Sequence, residues 1–194
     1  MTGRLTGREF EKILVKRHEE YFKHKMGCFG RYGVQAVQTG TDRGLVAIQS
    51  LPDFEGIRVD NPVHIIFDAK VCSQASFALA EYRGEPKKGS KFRQLKHMRQ
   101  RSMFGAQCFF LIHWNERKLA TKYEPPETFI FPVSDSEFWL GVDAAETRSI
   151  KRVDCEDYGC RVEWNTIGRG RNPRPDWLAA LNSFQPESLF KLRG

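Results

Sequence analysis

The 194-residue chain has no apolar stretch long enough to cross a bilayer, since its longest runs, such as Cys108–Ile112, are only a few residues. Residues 1–20 lack the apolar segment of a signal peptide. Repeats, low-complexity segments and Ser/Gly linkers are also missing. With 40% hydrophobic and 28% charged residues, the composition excludes disorder, collagen and coiled coil. We therefore expect one soluble domain over residues 1–194, located in the cytoplasm, with no membrane partner.

The cysteines do not form a recognisable framework. There are five, an odd number, and none belongs to a CxxC pair. Without a secretion signal we expect them to be reduced thiols of a cytosolic protein. Cys155 and Cys160 could ligate a metal, but no second pair completes the four ligands of a structural zinc site. Buried or incidental cysteines are the better interpretation.

Positive charge is concentrated in the first half of the chain. The net charge is +7, and residues 83–101 hold eight lysines and arginines with a single acidic residue, Glu85. Such a concentration is typical of proteins that bind polyanions. A solvated basic face explains the charge alone equally well.

Hydrophobic periodicity predicts a helix, a hairpin and then strands that alternate with helices. The predicted helices cover residues 8–25, 90–101 and 177–183, and the predicted strands cover 34–38, 45–48, 63–71, 107–114 and 128–133, with a short element at 138–142. This order favours an α/β fold in which a mixed central β-sheet is flanked by helices. Residues from about 148 to 194 are expected to form a short basic C-terminal extension within the single domain.

The triplet Asp68-Ala69-Lys70 closes the clearest strand. Alternate side chains of a strand share a face, so Asp68 and Lys70 point the same way. Ile66 shares that face, while the residues between them bury the other. A simple ion pair at a strand end would account for the triplet alone. Fifteen residues upstream, however, Pro52 precedes Asp53.

The pattern Pro52-Asp53 … Asp68-Ala69-Lys70 resembles the signature of the PD-(D/E)XK nuclease superfamily. The physical logic of that signature is direct. Two carboxylates converge on a hard divalent cation that prefers oxygen ligands, Mg²⁺ above all. The metal activates water and neutralises charge on the scissile phosphate, while the lysine orients the nucleophile or stabilises the transition state.

Further segments extend the resemblance along the chain. In order, they are the helix around Glu11, Asp53-Phe54-Glu55-Gly56, Phe67-Asp68-Ala69-Lys70, Gln94-Leu95-Lys96-His97-Met98, Gly105 … Cys108-Phe109 and residues 170–178. These segments are similar to those of the RecU family of Holliday junction resolvases. The resemblance implies a restriction-endonuclease-like core and a magnesium-dependent endodeoxyribonuclease of DNA recombination and repair, which resolves four-way junctions by paired nicking.

The resemblance also implies roles for individual residues. Asp53 and Asp68 would bind Mg²⁺, for which Mn²⁺ would substitute, with the carbonyl of Ala69 as a third ligand. Lys70 would be the catalytic lysine, and Gln94 would reach the same site from the basic helix. Glu11 would complete the site from the first helix, although a solvated helix glutamate is the alternative.

The expected macromolecular partners are branched DNA and a second copy of the chain. Symmetrical nicking requires two active sites, so we expect a homodimer with twofold symmetry. Within the cytoplasm, the protein would be associated with the bacterial nucleoid, or would lie in the host cytoplasm if it is phage-encoded. The residues expected to contact DNA are Lys87, Lys88, Lys91, Arg93, Lys96 and Arg99.

Two departures from the family keep other functions open. Asp68 stands where the family has glutamate, and the hairpin at residues 34–48 is shorter than the family's junction-gripping stalk. A nuclease of the same superfamily that acts on duplex, flap or fork DNA is therefore the first alternative. A non-catalytic DNA-binding module with structural carboxylates is the second.

Overall fold

The computed structural model describes residues 4–32, 35–38, 45–48, 51–79, 90–133, 137–144, 147–167 and 172–183. The helices are α1 (Gly7–Lys23), α2 (Ser90–Met103), α3 (Glu137–Asp143), α4 (Arg152–Tyr158) and α5 (Trp177–Ser183). The strands are β1 (Gly27–Arg31), β2 (Gln35–Gln38), β3 (Leu45–Ile48), β4 (Phe54–Arg58), β5 (His64–Cys72), β6 (Ser76–Ala78), β7 (Gln107–Trp114), β8 (Arg117–Lys118), β9 (Tyr123–Glu124), β10 (Glu127–Pro132), β11 (Ser149–Lys151), β12 (Cys160–Val162), β13 (Trp164–Asn165) and β14 (Arg174–Pro175).

A mixed sheet of six strands forms the centre, in the order β1-β4-β5-β7-β10-β12. Strands β5 and β7 are parallel, and every other neighbouring pair in this sheet is antiparallel. Parallel neighbours require a crossover connection, and here the connection includes α2. The predicted fold class is confirmed: a mixed central sheet is flanked by helices.

Both faces of the sheet are buried, and β5 shows how the sequence achieves this. Ile66 and Cys72 belong to a core shared with α2 and α3. Ile65 and Phe67 belong to a second core shared with α1 and α5. The alternation predicted for this strand is therefore confirmed, and Asp68 and Lys70 fall on the α2 side because residues i and i+2 share a face.

Helix α1 packs on the opposite face and is closely tied to the end of the chain. It begins with a capping box in which the Thr6 hydroxyl accepts from the backbone N–H of Glu9. The Tyr21 hydroxyl donates to Asp176 at 2.8 Å, and Trp177 is completely buried. The region predicted to be an extension thus supplies both the edge strand β12 and a central core residue.

Most predicted elements are present, with different ends. The hairpin is confirmed as the antiparallel pair β2 and β3, whose connecting turn lies outside the described residues. The short element at 138–142 is helix α3. Strand β1 was not predicted, because two glycines in Gly27–Arg31 give little strand propensity, and helix α4 was not predicted either. Among the described residues, no helix is long and apolar enough to span a membrane.

Candidate active site

Asp53 and Asp68 meet because of the pairing of β4 with β5. Phe54 lies opposite Phe67 in this antiparallel pair, so one more step of the same register places Asp53 opposite Asp68. The Asp53 carboxylate Oδ2 accepts from the backbone N–H of Ala69 at 2.8 Å. A residue from the segment before β4 is thereby held against the middle of the sheet.

Lys70 lies two residues along β5 on the same face and completes a compact group. Its Nζ is 2.7 Å from Asp68 Oδ2 and 3.9 Å from Asp53 Oδ2. The side chain of Asp68 is fully buried, whereas those of Lys70 and Asp53 are 19% and 25% exposed. One ammonium group therefore lies between two carboxylates at a position that solvent still reaches from the Asp53 side.

The charges of the three groups are strongly coupled. Burial raises the pKa of Asp68 to about 8, against the opposing effect of Lys70, and the neighbouring charge of Asp53 raises it further. For Lys70, burial lowers the pKa, but the attraction of Asp68 and Asp53 outweighs it and the net shift is upward. Lys70 stays protonated, and a further cation beside the two carboxylates would relieve their mutual repulsion.

The oxygen atoms of this group fit a hard divalent cation that takes its remaining ligands from water and from a substrate. In the described part of the chain, no group of three or more acidic, histidine or cysteine side chains forms a metal site. Mg²⁺ does not require one, because it is commonly held by one or two carboxylates together with water and substrate phosphates. The oxygens of Asp53 and Asp68 supply this two-carboxylate pattern, which suits Mg²⁺ better than a zinc or calcium site made only of protein ligands.

Gln94 extends from α2, which covers the face of β5 that carries Asp68. Its side-chain Nε2 donates to the carbonyl of Leu51 at 2.8 Å, two residues before Asp53. The side chain is buried, and its Oε1 has no hydrogen-bond partner among the described residues. Gln94 therefore holds the segment that precedes Asp53 in place. Its Oε1 oxygen remains available as a hydrogen-bond acceptor on that side of the sheet.

Glu11 lies on α1, on the other layer, and its direct partner is a cation. Its Oε2 is 3.0 Å from Arg31 Nη2. Its charge nevertheless contributes to the raised pKa of Lys70, so it belongs to the electrostatic surroundings of the site. The contact with Arg31 was not foreseen, because β1 was not predicted. A role for the Ala69 carbonyl as a ligand stays a prediction, as does a role for Glu11 in the reaction.

The residues predicted to contact DNA are only partly described. Lys87 and Lys88 lie outside the described residues. Lys91 and Arg93 lie within α2, but their side chains are outside the description.

Lys96 and Arg99 are described, and their surroundings differ. Lys96 is exposed. Arg99 donates from Nη1 to both carboxylate oxygens of Asp143, at 2.7 and 3.0 Å, and lies 5.1 Å from the Trp139 ring centre. These contacts attach α2 to α3, so DNA would have to compete with them for Arg99.

A cluster of polar contacts that the sequence does not predict lies beside the three central residues. The Tyr32 hydroxyl is 2.9 Å from His97 Nε2, and His64 Nε2 is 3.1 Å from Glu55 Oε2. Glu55 lies on β4, two residues after Asp53. Burial lowers the pKa of His97, Arg101 lowers it further, and the charges of Glu55 and His64 have smaller effects on it. The spacing of three between Gln94 and His97 was the available signal, because it places both on one side of a helix.

No protein-family model matches the chain, and no curated protein matches it. Among solved structures, it is similar to that of Hjc from Archaeoglobus fulgidus, a Holliday junction resolvase from an archaeal hyperthermophile, determined at 1.6 Å. The TM-score is 0.40 and the sequence identity 13%, over 75% of this chain and 91% of that chain. A likeness this distant identifies no family, so the function has to be inferred from the site.

Proposed function

We propose that this protein is a metal-dependent, structure-selective DNA endonuclease of the PD-(D/E)XK superfamily, resembling RecU. The observation that carries the proposal is the group formed by Asp53, Asp68 and Lys70. The Lys70 ammonium lies within 3.9 Å of two carboxylates, one on β5 and one directly before β4 begins, and one side of the group is open to solvent. A structural ion pair needs only one carboxylate. Burial raises the pKa of Asp68 here, and the charge of a second carboxylate, Asp53, raises it further, which is an arrangement typical of functional sites.

Each residue has a distinct role in the proposed reaction. Asp53 and Asp68, with the carbonyl of Ala69, would hold Mg²⁺ or Mn²⁺, which supplies Lewis acidity toward the phosphate and lowers the pKa of bound water. Lys70 stays protonated between the carboxylates and places a positive charge where the phosphate becomes more negative during attack. The free Oε1 of Gln94 would orient water, and Glu11 would support the charge of Lys70 from the rim.

Four-way junctions are the proposed substrate, cleaved by paired nicks within a twofold-symmetric homodimer. In that role the protein would act on chromosomal or phage DNA in the cytoplasm. The short hairpin of β2 and β3 favours a second candidate, a nuclease of the same chemistry that acts on flap, fork or duplex DNA. Both candidates share the site, so cleavage of matched substrates separates them.

The test compares a labelled four-way junction with a flap and a linear duplex of the same sequence, in Mg²⁺. The variants are Asp68→Asn, which keeps the shape of the side chain, and Asp157→Asn, a control at an exposed carboxylate on α4. We expect symmetrical paired nicks on the junction from the wild type and the control, and none from Asp68→Asn. Circular dichroism of each variant establishes that it is folded.

A second readout does not depend on cleavage. Mg²⁺ or Mn²⁺ should raise the thermal midpoint of the wild type by mass action, and should do so much less for Asp68→Asn. Cleavage of flap or duplex in place of the junction would favour the second candidate. Tight DNA binding with no cleavage of any substrate, and no effect of metal on stability, would instead indicate a non-catalytic binding module.

A further inference from the structure

Two large apolar side chains protrude at the end of α2. Met103 is 81% exposed and Phe104 is 88% exposed. Burying such a side chain typically contributes about 1.5 to 3 kcal/mol, so leaving two adjacent ones in water forgoes a considerable stabilisation. Single exposed apolar residues are common, but two adjacent and almost fully exposed apolar side chains at the end of a helix call for a partner.

The tip is a fixed turn, so the exposure is built into the backbone. The N–H of Ala106 donates to the carbonyl of Arg101 at 3.1 Å, and that of Gly105 donates to Ser102 at 3.0 Å. This pair of bonds is the Schellman motif that ends many helices, and its αL position is filled by Gly105 with φ of +88°. The turn leads directly into β7 in the centre of the sheet, which holds Phe104 in place relative to the strands.

Phe104 lies on the same side of the helix as Gln94, His97 and Arg101. The spacings from Gln94 to His97, Arg101 and Phe104 are three, four and three residues, which follow one side of an α-helix and its terminal turn. At a rise of about 1.5 Å per residue, this row extends about 15 Å from Gln94 to the tip. The length corresponds to about four steps of a DNA strand at about 3.4 Å each.

The surroundings of this row favour a polyanion over a protein surface. Residues 94–106 contain Lys96, His97, Arg99 and Arg101 and no acidic residue. Arg101 and Lys96 are exposed, and His97 faces Tyr32 at the edge of the candidate active site. A stable protein interface buries about 800 Å² on each partner, far more than two side chains provide. A single aromatic ring, by contrast, is sufficient to stack on one base.

We propose that Phe104, supported by Met103, is a wedge that stacks on a nucleobase exposed at a branch point or unpaired segment of DNA. The phosphates of that strand would pass His97 and Arg101 on the way to Asp53 and Asp68. This inference rests on the proposed function and adds to it a source of preference for branched or unpaired DNA. Apolar side chains inserted between base steps act in this way in architectural DNA-binding proteins.

The test measures binding without divalent cations, so that cleavage does not interfere. Anisotropy titrations use a labelled four-way junction, a flap and a linear duplex, with wild-type protein, Phe104→Ala, Phe104→Tyr and the control Phe22→Ala. Phe22 is 69% exposed on α1, away from the row. A junction with 2-aminopurine placed about four steps from the cleavage position reports unstacking of that base by its fluorescence.

Loss of one base stack should weaken binding of Phe104→Ala to the junction and flap by about 5- to 150-fold. Binding to intact duplex should change less, and Phe104→Tyr, which keeps a ring, should retain most of the preference. Phe22→Ala should match the wild type. The fluorescence increase of 2-aminopurine on binding should disappear in Phe104→Ala.

Four results would overturn the wedge. Equal binding of wild type and Phe104→Ala to branched DNA would exclude it while leaving the nuclease proposal intact. An equal loss on junction and duplex would show a general contact with no base recognition. If sedimentation shows that Phe104→Ala changes the oligomeric state and leaves DNA binding unchanged, the tip is an interface between copies. Absence of DNA binding by the wild type would refute the proposed function itself, and the wedge with it.

Discussion

Replacing the buried pair Asp68 and Lys70 by apolar residues should separate stability from activity. The Asp68 side chain is fully buried and 2.7 Å from the Lys70 ammonium. Removing one partner of such a pair leaves a buried charge and typically costs about 3 to 5 kcal/mol. Lys70→Met should fall toward the lower end, because burial already raises the pKa of Asp68 to about 8 and, without the ammonium, this group takes up a proton at pH 7. Asp68→Leu should fall at the lower end, because Lys70 keeps Asp53 at 3.9 Å.

The double variant Asp68→Leu/Lys70→Met should lose much less free energy of unfolding than the two single variants lose in sum. Leucine and methionine approximate the volumes lost, and Asp68 already points toward the apolar core that contains Ile66. Replacement of a buried ion pair by apolar residues is often neutral or stabilising by about 1 to 4 kcal/mol. We therefore expect the free energy of unfolding of the double variant to lie within about 1 kcal/mol of the wild-type value or above it. All three variants should lose cleavage.

The assay is urea unfolding at pH 7 followed by tryptophan fluorescence, with the slope of the transition checked for constancy. A double-mutant cycle then yields the coupling free energy, which we expect to be at least about 2 kcal/mol. Additive losses, with a double variant as unstable as the sum of the singles, would refute the idea that the pair is retained for chemistry. Cleavage by the double variant would remove both residues from the active site.

Close packing at Gly56 and burial of His18 and Cys155 lead to three more expectations. Gly56→Ala should lose about 1 to 3 kcal/mol in urea unfolding, because a Cβ would overlap the carbonyl of Cys28, whereas Gly30→Ala on the adjacent strand meets nothing within 4 Å and should be near neutral. Burial lowers the pKa of His18 to about 3, so between pH 6.5 and 3 the unfolded chain binds a proton that the folded chain does not. The free energy of unfolding should therefore fall over this range by up to about 1.4 kcal/mol per pH unit. His18→Leu should flatten this slope in unfolding titrations. Burial raises the pKa of the Cys155 thiol to about 12, whereas Cys28 is exposed. A thiol reagent should therefore label Cys28 and spare Cys155 until urea unfolds the protein, as detected by mass spectrometry. Labelling of Cys155 before unfolding would contradict its burial.

How far the sequence predicts the candidate site can be judged residue by residue. The shared face of Asp68 and Lys70 follows from the period of a strand and needs no knowledge of the rest of the chain. The nearness of Asp53 was suggested only by resemblance, because the distance between two strands depends on their register. Arg99 shows the limit of charge patterns: it was expected to contact DNA, and its guanidinium is paired with Asp143.

The sequence by itself determined the local elements, including α1, α5, β5 and β7, because helical and strand periodicities are written in neighbouring residues. It also determined that a basic segment precedes β7. Only the tertiary structure decided that β1 and β12 close the sheet, that Asp53 lies opposite Asp68, and that Gln94, His97 and Phe104 form one row beside them. These features depend on contacts between residues far apart in the chain, where packing and pairing register select one arrangement among many that local patterns allow.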